Sequence, residues 1–144
     1  MITVRRLSID DARVLIEGAE EKSREIGIPM CSAVTDEAGN LLAFTRMDGA
    51  KISSIDIAIS KAFTGAAAKK GTHEYNRLAV PGKPAFGIHV TNRGRFSIIG
   101  GGLPITIDDE VVGGIGISGG TAEEDLIVAQ GAVDYSLSKI EATK

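Results

Sequence analysis

Apolar positions recur every three or four residues in three stretches of the chain, and run in alternating or short unbroken blocks between them. The first helical stretch opens at Ser8-Ile9-Asp10-Asp11, which has the form of a capping box. Ala12, Leu15, Ile16, Ala19 and Ile26 then follow at helical spacing until Gly27. Residues 29–35 read as a strand, 36–40 as a hairpin loop and 41–46 as the returning strand. A second helix is expected over 53–70, with Ile55, Ile59, Ala62, Phe63 and Ala66 on one face. Lys69 and Lys70 meet the negative end of its dipole before Gly71 stops it. Its other face carries Ile57, Ala58, Lys61, Gly65 and Ala68, a surface suited to packing on something besides the chain's own sheet. That face predicts a homo-oligomer.

Residues 72–78 read as a short helix or turn, followed by the Pro81-Gly82-Lys83-Pro84 loop. Three further strand regions are expected: 85–91, 95–100, and a hairpin pair of 105–107 with 111–118 that turns at Asp108-Asp109. Thr121-Ala122-Glu123-Glu124 forms a second capping box. It opens a last helix with Leu126, Ala129, Gln130, Val133, Leu137 and Ile140 along the inner stripe. A hairpin, a helical connection and a meander predict an α+β fold with a five-stranded, mainly antiparallel sheet packed by helices. No repeat or linker divides residues 1–144, so one domain is expected.

Composition narrows the function classes. With 43% apolar and 24% charged residues, the 144-residue chain has the balance of a globular domain large enough to hold a core without staples. No apolar run reaches the roughly 18 residues of a membrane helix, and Met1-Ile2-Thr3-Val4-Arg5-Arg6 does not resemble a secretory leader, so a cytoplasmic location without membrane partners is expected. A net charge of −3 gives no pull toward nucleic acid, and the basic pairs Arg5-Arg6 and Lys69-Lys70 are short. Cys31 is the one cysteine and lies in an apolar strand, where it reads as a small buried hydrophobe.

The candidate chemistry concentrates near the glycines. Gly100-Gly101-Gly102 and Gly119-Gly120-Thr121 lack the helix and acidic partner of a dinucleotide fingerprint, and no phosphate-loop motif is present. Two readings remain open: a backbone nest for a small anion beside the positive end of the last helix, or close strand packing and tight turns. His73 and Glu74 are candidates for proton transfer, and His73 for ligating a metal or haem iron. His89 sits in an apolar run and reads as structural. Lys61 is a base or anion anchor if its helix face is covered and a solubilising charge if it is exposed. Arg46 and Asp48 stand at a strand end, where they can bind a ligand carboxylate or pair with each other.

Several of these segments together resemble a known family. Val34-Thr35-Asp36 with Gly39, Arg46-Met47-Asp48-Gly49, Ser54-Ile55-Asp56-Ile57-Ala58 with Lys61-Ala62, Gly100-Gly101-Gly102-Leu103-Pro104-Ile105 and Val112-Gly113-Gly114-Ile115-Gly116-Ile117-Ser118-Gly119-Gly120-Thr121 are similar to the GlcG/HbpS family, which includes the C-terminal domain of PduO. Gly71-Thr72-His73-Glu74 resembles the branch that contains the OrfY protein of glycerol and diol operons. The resemblance implies a profilin-like α+β domain with a five-stranded antiparallel sheet, assembled as a homo-oligomer. It also implies a small-ligand-binding role with haem or a related tetrapyrrole as ligand or substrate of degradation, with His73, His89, Met30 or Met47 as possible iron ligands. The propionates are then expected on the glycine nest or Lys61. An enzyme acting on a small hydroxy- or oxo-acid, or an accessory subunit in glycolate or diol use, is the alternative.

Overall fold

The computed structural model describes residues 1–142. Helix α1 (Ile9–Ile26) begins as the capping box predicts: Ser8 Oγ accepts the Asp11 N–H at 3.1 Å and Asp11 Oδ2 accepts the Ser8 N–H at 2.8 Å. It stops at Gly27, whose φ of 78° is the left-handed value that favours glycine. Strands β1 (Cys31–Asp36) and β2 (Leu41–Arg46) form the expected hairpin, its loop held by Asp36 Oδ1 accepting the Ala38 and Asn40 N–H groups. Helix α2 (Ser54–Ala68), strands β3 (Gly102–Ile107) and β4 (Glu110–Ser118), and helix α3 (Ala122–Ala142) complete the order. Asp108 and Asp109, at φ 51° and 62°, make the two-residue left-handed turn that matches strand twist between β3 and β4.

The sheet is antiparallel throughout in the order β2-β1-β4-β3, so this α+β fold has four strands, not five. Neither 85–91 nor 95–100 joins the sheet as a strand. Between Pro84 and Arg95 the backbone takes left-handed values at Gly87, Asn92, Arg93 and Gly94, and it folds into short 3-10 turns at Ile88–Val90 and Asn92–Gly94. Apolar residues there imitate a strand pattern, but positive φ breaks any ladder. Residues 95–100 then cross α2. Ser97 donates its N–H to Thr64 Oγ1 at 2.8 Å, and the Arg95 guanidinium lies 4.0 Å from the centre of the Phe63 ring.

Helices α1 and α3 pack together on one face of the sheet over Leu15, Ile16, Val34, Ile105, Ile115, Ile117 and Val128. Helix α2 covers the other face, against Cys31 and Ala33 through Ala58 and Ala62. Strand alternation explains the glycines of β4: Ile115 and Ile117 point into the first core, while Gly114 and Gly116 lie under α2. A Cβ on Gly116 would meet the Ala58 carbonyl and Ala62 nitrogen, so the helix backbone rests directly on the strand.

That contact corrects the expectation for the second face of α2. Ala58 and Lys61 are buried, and a Cβ on Gly65 would lie 2.7 Å from the Leu103 carbonyl group, so β3 and β4 cover this face; Ile57 is 38% exposed. The inner stripe of α3 is also shifted. Asp125, Val128, Ala129, Ala132, Ser136 and Ile140 are buried, whereas Gln130 is exposed.

Candidate functional site

A hollow of about 440 Å³ opens where α3 begins, lined by His73, Leu103, Glu123, Leu126, Ile127 and Gln130. A second of about 200 Å³ adjoins it, sharing His73, Glu123 and Leu126 and adding Asn76, Gly100 and Ala122. Together they form a groove within the size range of small-ligand sites. Leu103, Leu126 and Ile127 make its wall apolar, and Ile127 is 50% exposed although it is a large hydrophobe. Among the described residues neither hollow is lined by lysine or arginine.

His73 sits in the short 3-10 turn Thr72–Tyr75 that follows α2. Its ring folds back toward Gly71, where a Cβ would lie 2.7 Å from Nδ1, and a Cβ on Gly100 would lie 3.2 Å from its Cβ. Glycine at both positions lets the imidazole seat between them. Among the described residues the His73 ring makes no hydrogen bond, so both nitrogens are available to a ligand. Glu74 is committed locally, its Oε2 accepting the Gly71 N–H at 3.0 Å. Thr72 is fully buried and ties the site together: its hydroxyl donates to the Ile99 carbonyl at 2.6 Å and accepts the Gly102 N–H at 2.9 Å.

The 119–121 turn is a nest, and it holds the protein's own carboxylates. Asp125 Oδ1 accepts the Gly120 N–H at 2.8 Å, with the Gly119 amide also directed at it, and Glu124 Oε1 accepts the Thr121 N–H at 2.9 Å. Asp125 Oδ2 in turn meets Lys61 Nζ at 2.9 Å, and Nζ donates as well to the Ile117 carbonyl at 2.9 Å. Lys61 is 1% exposed, so its face is covered, yet by the fold itself. Burial pushes the Asp125 carboxyl above its ordinary range, against the pull of the Lys61 ammonium and the two glycine amides. Gly101, at φ 124°, fits between these groups; a Cβ there would lie 2.9 Å from Nζ.

The structure therefore brings together His73 and Gly100 at the groove, with Gly101 and Gly102 buried in the packed layer behind it, Gly119 and Gly120 half-buried beside Asp125, and Thr121 exposed at the start of α3. Lys61 lies in that layer and does not line the groove. Arg46 and Asp48 are exposed at the end of β2, the opposite edge of the sheet from β3. Three strand spacings, about 14 Å, separate those edges. His89 has its Nδ1 buried with no hydrogen-bond partner among the described residues and faces the Phe86 ring at 6.2 Å. Sequence reasoning did not select Thr72, Asp125, Leu103 or Ile127. The off-stripe position of Ile127 beside a helix start was the signal available for the apolar wall.

Fold and groove define a small α+β domain with an apolar hollow lined by an imidazole that makes no hydrogen bond among the described residues. The profile of the family described as haem-degrading protein HbpS-like matches residues 7–134, and the chain belongs to that family. It is 37% identical to a 15.0 kDa Citrobacter freundii protein from the dhaT-dhaS intergenic region, over 91% of this chain and 92% of that one. The crystal structure of the Klebsiella pneumoniae protein ORFY is similar at TM-score 0.91 and 38% identity, covering 94% of this chain and 93% of that one. A structure described as a PduOC–haem complex is similar at TM-score 0.86 and 32% identity, covering 90% and 94%.

Proposed function

We propose that this chain binds haem or a closely related tetrapyrrole in the His73 groove. The observation that carries the reading is an imidazole with no internal partner at the mouth of an apolar hollow, in a fold shared with a haem complex. The residues fit such a group. His73 would ligate the iron, and Leu103, Leu126 and Ile127 would cover the faces of the macrocycle. Bound haem would supply a redox-active iron. The chain's own part is to bind, to orient the ring through one imidazole and to exclude water with its leucines and isoleucine.

The glycine amides and the Lys61 ammonium are engaged within the fold, so they would not be free to hold the propionates of a bound tetrapyrrole. Proton transfer on a small acid draws less support, since Lys61 is enclosed and Glu74 caps Gly71. A homo-oligomer belongs to the same reading. Leu78, Val80, Phe86 and Val90 are exposed apolar residues on the segment between α2 and β3, the kind of surface that association covers. So does a cytoplasmic location, in keeping with a lone buried thiol.

Titrating the protein with haemin and following Soret absorbance tests the proposal. A saturable shift at one haemin per chain that weakens at least tenfold in His73→Ala is expected. No saturable shift, or one unaffected by the substitution, overturns it. Sedimentation of wild type beside Phe86→Asp tests the oligomer, which the added charge is expected to dissociate.

A further inference from the structure

Lys61 and Asp125 are 1% and 2% exposed, and each is enclosed at the junction of α2, β4 and α3. A pair this deep contributes little net stability, because desolvating two charges offsets their attraction, and apolar residues of the same volume commonly serve as well. Nor is the pair needed to start α3. Thr121 and Glu124 already cap that helix reciprocally, the Glu124 N–H on Thr121 Oγ1 at 3.2 Å and the Thr121 N–H on Glu124 Oε1 at 2.9 Å. The pair does something packing alone does not: its bonds have direction, and each ends on a segment that leads into the groove.

We propose that Lys61 and Asp125 are positioning residues for the His73 groove, fixing the loops that carry its walls; the inference rests on the reading of that groove as the ligand site. The connectivity is explicit. Lys61 Nζ holds the Ile117 carbonyl at the end of β4, Asp125 holds the Gly119–Gly120 turn, and the Ile117 N–H returns to the Gly101 carbonyl at 2.9 Å. The main chain of Lys61 acts at the same point, since its carbonyl is where a Cβ on Gly102 would fall. Gly102 is also the donor to Thr72, the residue before His73.

All groove-lining residues except Asn76 and Gln130 lie within three residues of Thr72, Gly101 or Asp125. Gly100 precedes Gly101, Leu103 follows Gly102, and Ala122, Glu123, Leu126 and Ile127 flank Asp125. Apolar side chains in place of the pair would fill the volume yet let the turn and the first turn of α3 slide over one another. A site needs its supporting layer held within about half an ångström.

The test is the double variant Lys61→Met/Asp125→Leu, which keeps the volume and removes both charges. A melting temperature within a few degrees of wild type is expected, together with a haemin affinity at least tenfold weaker and a displaced Soret maximum. Wild-type affinity and spectrum in the double variant overturn the proposal. Should that variant fail to fold, Asp125→Asn serves instead: it keeps an acceptor for the Gly120 N–H and weakens the tie to α2, with the same two outcomes deciding. If the wild-type protein itself binds no haemin, the ligand reading fails on its own, and the positioning role is decided in the ligand-free protein. The His73 ring resonances are then expected to shift between wild type and double variant while those of His89 stay, and unchanged His73 resonances overturn it.

Discussion

The interface between α2 and β4 and the groove beside His73 are built from neighbouring residues and differ in what folding leaves over. Under α2, every group is engaged: Gly116 admits the Ala58 carbonyl, Gly102 donates to Thr72, and Lys61 is paired with Asp125. At the groove, an imidazole remains without a hydrogen-bond partner among the described residues, and Ile127 stays half exposed. A glycine-rich strand end and a ligand site are thus separate things here, one layer apart. Bare amides make a site only where the chain's own carboxylates do not reach them first.

The sharpest break of the packed region is Gly116→Val. Its side chain would enter the α2 backbone at Ala58 and Ala62, and the cost is expected to exceed the roughly 1–3 kcal/mol of ordinary overpacking. Soluble yield and thermal melts check this; a variant that melts like wild type would show that α2 can lift off β4.

Next in size is Lys61→Met alone, which leaves the Asp125 carboxylate buried and unpaired at a cost of about 3–5 kcal/mol near neutral pH. The sign with pH follows from burial. A carboxyl whose pKa is raised in the folded state stabilises fully below its unfolded value near 3.9, and that contribution is lost as pH rises through the folded value. Removing Lys61 enlarges the rise, so the deficit of the variant should shrink on acidification from pH 7 toward pH 5. Urea midpoints at the two pH values test it, and a deficit independent of pH would mean that Asp125 is not the group left unpaired.

Smaller effects separate buried from open chemistry. The Cys31 thiol is fully enclosed and burial pushes it above its ordinary range, so a thiol reagent should label native protein at least about a hundredfold more slowly than urea-unfolded protein. His73→Ala should change stability by no more than about 0.5 kcal/mol, because the exposed ring has no internal hydrogen bond to lose. A large loss on that substitution would make His73 a structural residue and merge the two regions.

Much of the frame was legible because its signals are local. The Ser8 and Thr121 capping boxes set the starts of α1 and α3, and Gly27 and Asp108-Asp109 marked a helix end and a hairpin turn. The strand pattern failed at 85–91 because alternation cannot report φ, and there Gly87 takes a left-handed value before the 3-10 turn Ile88–Val90; it failed at 95–100 because the backbone of Arg95 and Ser97 bonds to the Thr64 hydroxyl of α2 instead of to a strand. His73 was legible as a rare titratable residue after a helix. The fate of Lys61 was not, since its partner lies 64 positions away and burial depends on the glycines that bring α2 onto the sheet. For the same reason the glycine stretches carried two readings that only tertiary contacts could separate.

The central claim, that the open region and not the packed one takes the ligand, is tested most directly by the chain's two histidines. Haemin is titrated into histidine-labelled protein and the imidazole resonances are followed by NMR. Loss of the His73 signals by one equivalent, with His89 persisting, is the predicted result. Loss of His89 with His73 intact, or persistence of both while haemin binds, would place the ligand elsewhere and contradict the account.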